Sequence, residues 1–258
     1  SFNISTAAAL VLEGAGAKVA KHGNRSVSSR CGSADVLEAL GVKVDLSPAA
    51  LSACLDRVGI AFLYAPVLHQ AMKRVAAPRR ELGFRTVFNI LGPLTNPAGV
   101  QAQVLGVYSP ELVEVVARVL QRLGVARGFV VHGAGGLDEV SPLGATKICE
   151  IRDGWLRTYT LHVEDYGFTP ARMEDLVGGG PAENAEIIRS VLRGEPGPRR
   201  QAVLLNAALG LMAADLAGSL EEGLALAARS IDEGHAYAKL EELVAFSRQW
   251  GSREVASG

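Results

Sequence analysis

Four short segments of this 258-residue chain carry side chains whose types and spacing could do chemistry. The first is Asn3-Ile4-Ser5-Thr6, followed by Ala7-Ala8-Ala9-Leu10, so small hydroxyl residues open a strong helix former. Free backbone N–H groups and the helix dipole make such an end a good anion site. The same residues equally suit an ordinary N-cap. The second segment is residues 21–33, which packs three cations, two glycines, four serines and a histidine between an expected strand and a helix beginning near Ala34. A loop of that kind can wrap phosphate oxygens with N–H, O–H and ammonium donors, or be a solvated basic turn. The third is Asp138-Glu139, after Gly133-Ala134-Gly135-Gly136 at a strand end. Adjacent carboxylates there can hold Mg²⁺, which takes one or two carboxylates and completes its octahedron with phosphate and water. A polar surface turn has the same composition. The fourth is Arg79-Arg80, closing a helical pattern from Pro66. It is either a partner for the helix dipole or a fork for a carboxylate.

These segments need elements to hold them. Residues 16–21, 59–64, 102–108 and 128–132 read as strands, each bounded by Gly, Pro or Ser. Between them lie amphipathic helices. One runs from Pro110 to about Leu123, with Leu112, Val115, Val116, Val119, Leu120 and Leu123 as its apolar face, Ser109 as N-cap and Gly124 as stop. Another opens at Ser47-Pro48 and ends at Gly59. Such alternation predicts an α/β fold with a mainly parallel central sheet covered by helices. Residues 148–159 read as a hairpin turning at Asp153-Gly154. From Pro181 the pattern is nearly all helical, apart from a break at residues 194–198, and residues 206–216 form an Ala/Leu-rich buried helix.

Composition narrows the function classes. Lys and Arg total 26 against 27 Asp and Glu, so net charge gives no case for a nucleic-acid or membrane partner. The three cysteines, Cys31, Cys54 and Cys149, are scattered and lack C-x-x-C spacing, which fits a reducing cytosol. His22, His69, His132, His162 and His235 show no metal-ligand spacing. No apolar run approaches a membrane span, and the first residues lack the basic start of a signal peptide. They also lack an initiator Met, as expected of a chain that begins inside a longer product.

Together, Asn3-Ile4-Ser5-Thr6, Lys21-His22-Gly23-Asn24-Arg25, Gly32-Ser33-Ala34-Asp35-Val36-Leu37-Glu38 and Asn89-Ile90-Leu91-Gly92-Pro93-Leu94-Thr95-Asn96-Pro97 resemble the anthranilate phosphoribosyltransferase family, in order and across essentially the whole chain. The third of these is shared with pyrimidine nucleoside phosphorylases and bears more on fold than on substrate. The resemblance implies a large α/β domain over residues 1–258 with remnants of a small helical domain. The family's N-terminal helices and a glycine-rich phosphate loop lie upstream of the point where this chain starts. It implies a cytoplasmic homodimer that uses phosphoribosyl pyrophosphate, anthranilate and two Mg²⁺ ions. Asn3, Ser5, Thr6, Lys21, His22, Asn24, Arg25, Ser28, Ser29 and Ser33 would line the phosphoribosyl pyrophosphate site. Asn24 and Arg79 would face anthranilate, and Ser5, Asp138 and Glu139 would hold metal. The anthranilate amine has a free lone pair, so no residue is expected as obligate acid or base; orientation and leaving-group neutralisation suffice. A pyrimidine nucleoside phosphorylase and a non-catalytic nucleic-acid-binding relative of the same fold are the competing readings. The pairing of Asn24 with Arg79 argues against the first, and intact Asp138-Glu139 with near-neutral charge against the second.

Overall fold

In the computed structural model, which describes residues 1–26, 30–68 and 88–256, the chain opens directly into helix α1, Ile4–Gly14. Eight of its eleven residues are buried, and it lies against Pro198–Ala213 and His235–Ala256. Small residues let the helices approach: a methyl group on Gly210 would fall 2.6 Å from Leu12, and one on Gly14 would fall 2.5 Å from Ser230. Gly16, at φ +99°, turns the chain out of α1, so β1 is Val19–Gly23 and starts later than the expected residue 16. Next come α2, Ser33–Leu40, and α3, Pro48–Arg57, whose N-cap Ser47 accepts from the Ala50 N–H. Strand β2, Ile60–Tyr64, then pairs in parallel with β1, Val19 opposite Ile60 and Gly23 opposite Tyr64.

After the short helices α4, Ala65–Leu68, and α5, Phe88–Leu94, a second sheet forms from β3, Ala102–Gly106, β4, Arg127–Gly133, β5, Thr146–Arg152, and β6, Trp155–Leu161. Its order is β3-β4-β5-β6, and only β3 and β4 run parallel. The mainly parallel sheet expected from the sequence is thus corrected, among the described residues, to one parallel pair and one mixed sheet. The cause is local. Residues 134–145 contain only the single 3-10 turn Ala134–Gly136, too little for a parallel crossover. Asp153, at φ 45°, and Gly154, at φ 91°, supply the left-handed pair that reverses a two-residue hairpin, as their residue types predict.

Helix α6, Leu112–Arg122, begins after the expected Pro110 and buries a face that keeps Val116 and Leu120 of the expected one but is shifted toward Val113 and Ala117. Val113, Val116, Ala117 and Leu120 are buried, whereas Val115 and Leu123 are 53% and 60% exposed. The chain ends in α7, Pro181–Leu192, α8, Pro198–Ala213, α9, Leu220–Asp232, and α10, His235–Ala256, with the expected break before Pro198. Residues 202–211 of α8 are buried throughout and join the apolar clusters around α1 and the second sheet. The site-bearing ends of α1, β1 and β4 are therefore carried on a packed base.

Candidate functional site

Helix α1 begins without a side-chain cap. The Asn3 amide is used elsewhere: its Nδ2 donates to the Cys31 carbonyl at 3.2 Å, and its Oδ1 accepts from Asn184 Nδ2 at 2.9 Å. The ordinary Ser/Thr cap does not form, since Ser5 and Thr6 lie inside α1. The Ile4 and Thr6 N–H groups donate to the Phe2 and Asn3 carbonyls, and the helix dipole still favours negative charge at this end. Ser5 is exposed on that turn, whereas Thr6 is 1% exposed, with a buried hydroxyl that has no hydrogen-bond partner.

Lys21 projects from β1 and donates to Ser5 Oγ at 3.3 Å. Burial pushes its ammonium down to about 8, against the pull of Glu139 and Asp138. His22 and Gly23 follow on the strand, and a methyl group at Gly23 would meet Phe62 at 2.7 Å and the Ser33 hydroxyl at 3.0 Å. Asn24 is exposed, with Oδ1 accepting the Arg25 N–H at 2.7 Å. The loop closes on itself at Gly32, where a methyl group would fall 2.3 Å from the Ser26 nitrogen; only glycine permits that approach. Asp35 secures the closure by accepting the Ser26 and Gly32 N–H groups at 3.0 and 2.8 Å. Burial works against its charge, but those two N–H groups and Arg25 outweigh it and hold the carboxyl below its ordinary value.

Arg25, expected to line a phosphate site, is exposed and commits its guanidinium to side chains of this protein. It forks onto Glu38 at 2.6 and 2.7 Å, reaches Asp35 at 3.1 Å and donates to the Tyr64 hydroxyl at 3.0 Å. Its position is that of a loop organiser. We predict that Arg25→Ala and Glu38→Ala each raise the KM for the phosphate-bearing substrate by roughly tenfold, and that the double variant is no worse than either. Steady-state kinetics on the three variants checks this; a much milder Glu38→Ala would show that Arg25 meets the substrate directly.

The third segment lies between the β3 and β4 ends. Gly133 N–H donates to the Leu137 carbonyl at 2.8 Å, forming an isolated bridge that turns Asp138 and Glu139 toward the start of α1. Asp138 is exposed; Glu139 is half-buried, and its Oε2 has no hydrogen-bond partner. Burial first, and Asp138 next, push the Glu139 carboxyl up to about 8, while the ammonium of Ser1, then Lys21 and the Ser5 backbone N–H, pull the other way. The structure therefore unites Ser5, Lys21, Asp138 and Glu139 from three distant segments. Among the described residues no three His, Cys, Asp or Glu side chains cluster as a metal cage. An orphaned carboxylate oxygen, a second carboxylate and a hydroxyl are hard oxygen donors that fit a Mg²⁺ completed by substrate oxygens and water.

Ser28, Ser29, Arg79, Arg80 and His69 lie outside the described residues. His132 Nδ1 lies 2.8 Å from the Val107 carbonyl, and His235 sits beside Glu233 at the surface. Sequence reading missed Glu38, Tyr64, Asn184 and Asn206, the last of which binds Val140, the neighbour of Glu139. Asn96, within Leu91-Gly92-Pro93-Leu94-Thr95-Asn96-Pro97, donates to the Ala20 carbonyl of β1 at 3.1 Å and so braces the strand that carries Lys21.

Residues 1–237 match the family model described as "Glycosyl transferase family, a/b domain". An anthranilate phosphoribosyltransferase of Pelotomaculum thermopropionicum is 61% identical over 256 residues, covering 99% of this chain and 74% of the relative. Among solved structures, the anthranilate phosphoribosyltransferase of Thermus thermophilus superposes with a TM-score of 0.90 at 51% identity, covering 96% of this chain and 74% of that one. The Saccharomyces cerevisiae enzyme in complex with PRPP and Mg superposes at 0.89 with 32% identity, covering 96% and 70%. The same yeast protein in complex with 4-fluoroanthranilate superposes at 0.86 with 31% identity and the same coverage.

Proposed function

The chain belongs to the anthranilate phosphoribosyltransferase family, and we propose that it performs that transfer at the meeting point of α1, β1 and the Asp138-Glu139 turn. The reaction joins the amine of anthranilate to the anomeric carbon of phosphoribosyl pyrophosphate. A C–N bond forms, the C–O bond to pyrophosphate breaks, and N-(5-phosphoribosyl)anthranilate and pyrophosphate leave. The observation that carries the assignment is the arrangement of charge. A helix N-terminus and the Lys21 ammonium, which favour phosphate oxygens, face two carboxylates that favour a metal.

In this reading Asn3 and Thr6 shape the first turn of α1, and the Ser5 hydroxyl donates to a pyrophosphate oxygen. Lys21, His22, Ser28, Ser29 and Ser33 line the rest of that site, with Arg25 holding the loop. Asn24 and Arg79 face anthranilate, the Arg79 guanidinium offering parallel N–H donors to its carboxylate. Two Mg²⁺ ions accompany the pyrophosphate, one touching Ser5 and one held by Asp138 and Glu139. Bound there, they would neutralise charge that develops on the leaving group. No side chain serves as obligate acid or base. A homodimer in the cytoplasm completes the proposal; no helix of the described residues is long and apolar enough to cross a membrane. Pyrophosphate release from phosphoribosyl pyrophosphate that requires both anthranilate and Mg²⁺ tests the function. Release of free base from a pyrimidine nucleoside with inorganic phosphate, without pyrophosphate release in the presence of anthranilate, would overturn it.

A pH dependence follows from Glu139. A proton must leave its carboxyl before a cation can bind, and the carboxyl titrates near 8. Mn²⁺ affinity of the substrate-free protein should therefore rise by roughly tenfold per pH unit below that value and level off above it. Titration of the free-ion EPR signal at pH 6.5, 7.5 and 8.5 measures this, and a flat profile would contradict it.

A further inference from the structure

We infer that Asn206 is a positioning residue for the Asp138-Glu139 carboxylates, fixing the backbone from which both project. The inference rests on the reading of those carboxylates as metal ligands. Asn206 stands in the middle of α8, inside a stretch, residues 202–211, that is otherwise apolar or glycine and buried throughout. Asparagine is a weak helix former, and its amide is a liability in an apolar layer unless every polar atom is satisfied. Here the amide is fully occupied. Oδ1 accepts the Val140 N–H at 2.9 Å, Nδ2 donates to the Val140 carbonyl at 2.9 Å, and Nδ2 donates again to Ala202 O at 2.8 Å. The amide thus does for Val140 what a neighbouring strand would otherwise do.

Segment 137–141 has no ladder of its own among the described residues. Its only pairing is the Gly133–Leu137 bridge, and the Ser141 N–H is taken by the Thr146 hydroxyl at 3.0 Å. Two glycines confine it from the sides. A methyl group at Gly106 would lie 1.5 Å from the Asp138 carbonyl oxygen, and one at Gly133 would lie 2.4 Å from that of Glu139. The backbone of Asp138 and Glu139 is therefore wedged between two strand ends, and Asn206 anchors its exit. Since χ rotations alone cannot correct a displaced backbone, releasing Val140 moves both carboxylates together. Partners that orient metal ligands from behind typically matter by one to two orders of magnitude in affinity.

Asn206→Ala and Asn206→Gln provide the test, the second keeping the amide but displacing it by one methylene. Mn²⁺ binding without substrate, read from the free-ion EPR signal, should weaken by roughly 10- to 100-fold in the alanine variant and less in the glutamine variant. The Val140 amide should exchange faster while other α8 core amides stay protected, and the KM for anthranilate should stay within about twofold of wild type. Leu211→Ala, on the same helix but in the α1 cluster, controls for general loosening. Wild-type Mn²⁺ affinity in folded Asn206 variants would overturn the inference. So would equal weakening in Leu211→Ala, or failure of the glutamine variant to fold, which would leave a purely structural role. If Asp138→Asn with Glu139→Gln retains Mn²⁺, the metal reading itself fails, whatever the Asn206 variants do.

Discussion

Asp138→Asn combined with Glu139→Gln lowers turnover of anthranilate with phosphoribosyl pyrophosphate by at least about 1000-fold, roughly 4 kcal/mol of transition-state stabilisation. The same variant is as stable as the parent or more so. Both outcomes have one cause. The Glu139 carboxyl is pushed up to about 8 by burial and then by Asp138, so its charged form is disfavoured in the folded protein. A carboxyl with a raised folded value adds stability at low pH and loses it as pH rises from the ordinary carboxyl range through about 8. Paired amides do not titrate. The melting temperature of the variant relative to the parent should therefore be higher at pH 8 than at pH 5. Activity that returns to the parental rate at low Mg²⁺ would remove the carboxylates from the mechanism. A melting point that falls at both pH values would mark them as structural.

What could be read from the sequence follows a physical rule. Ser5 is legible where a helix starts, and Asp138 and Glu139 after the glycine turn that follows β4, places where exposed chemistry collects. Lys21, the middle residue of β1, is legible from the dense donors of residues 21–33, which it opens. The Asp153-Gly154 hairpin was legible because left-handed backbone demands those residue types. The parallel sheet was expected because strand–helix alternation was read from periodicity, which does not reveal strand direction after β4. Apolar residues occur around much of α6, so periodicity alone does not exclude Val115 and Leu123, which are exposed. The residues that hold the site stayed hidden for another reason. Glu38 reads as a polar helix position, and Asn206 as a flaw in an apolar helix. Each acts on a partner 13 and 66 residues away, respectively. Such roles arise from tertiary contact, which local pattern does not encode.

Lys21→Met should move two measurements in opposite directions. Turnover at low phosphoribosyl pyrophosphate should fall by about 100-fold, near 3 kcal/mol, because a partly desolvated ammonium aimed at the leaving group is screened less than one in bulk water. In the substrate-free protein, Mn²⁺ should bind more tightly than in the parent. The reason is the company Lys21 keeps: its ammonium donates to Ser5 and is drawn toward Glu139 and Asp138, the groups that would hold the metal. Removing that like charge frees the carboxylates for an incoming cation. Methionine preserves the apolar stem as far as the ε carbon and omits the ammonium. Burial already pushes the ammonium down to about 8, so its loss should not lower the melting temperature near neutral pH. A variant that merely misfolds would lose metal and substrate together. Weaker Mn²⁺ binding in a folded Lys21→Met protein would mean that Lys21 organises the carboxylates instead of competing for them, and its assignment to the pyrophosphate would then fail.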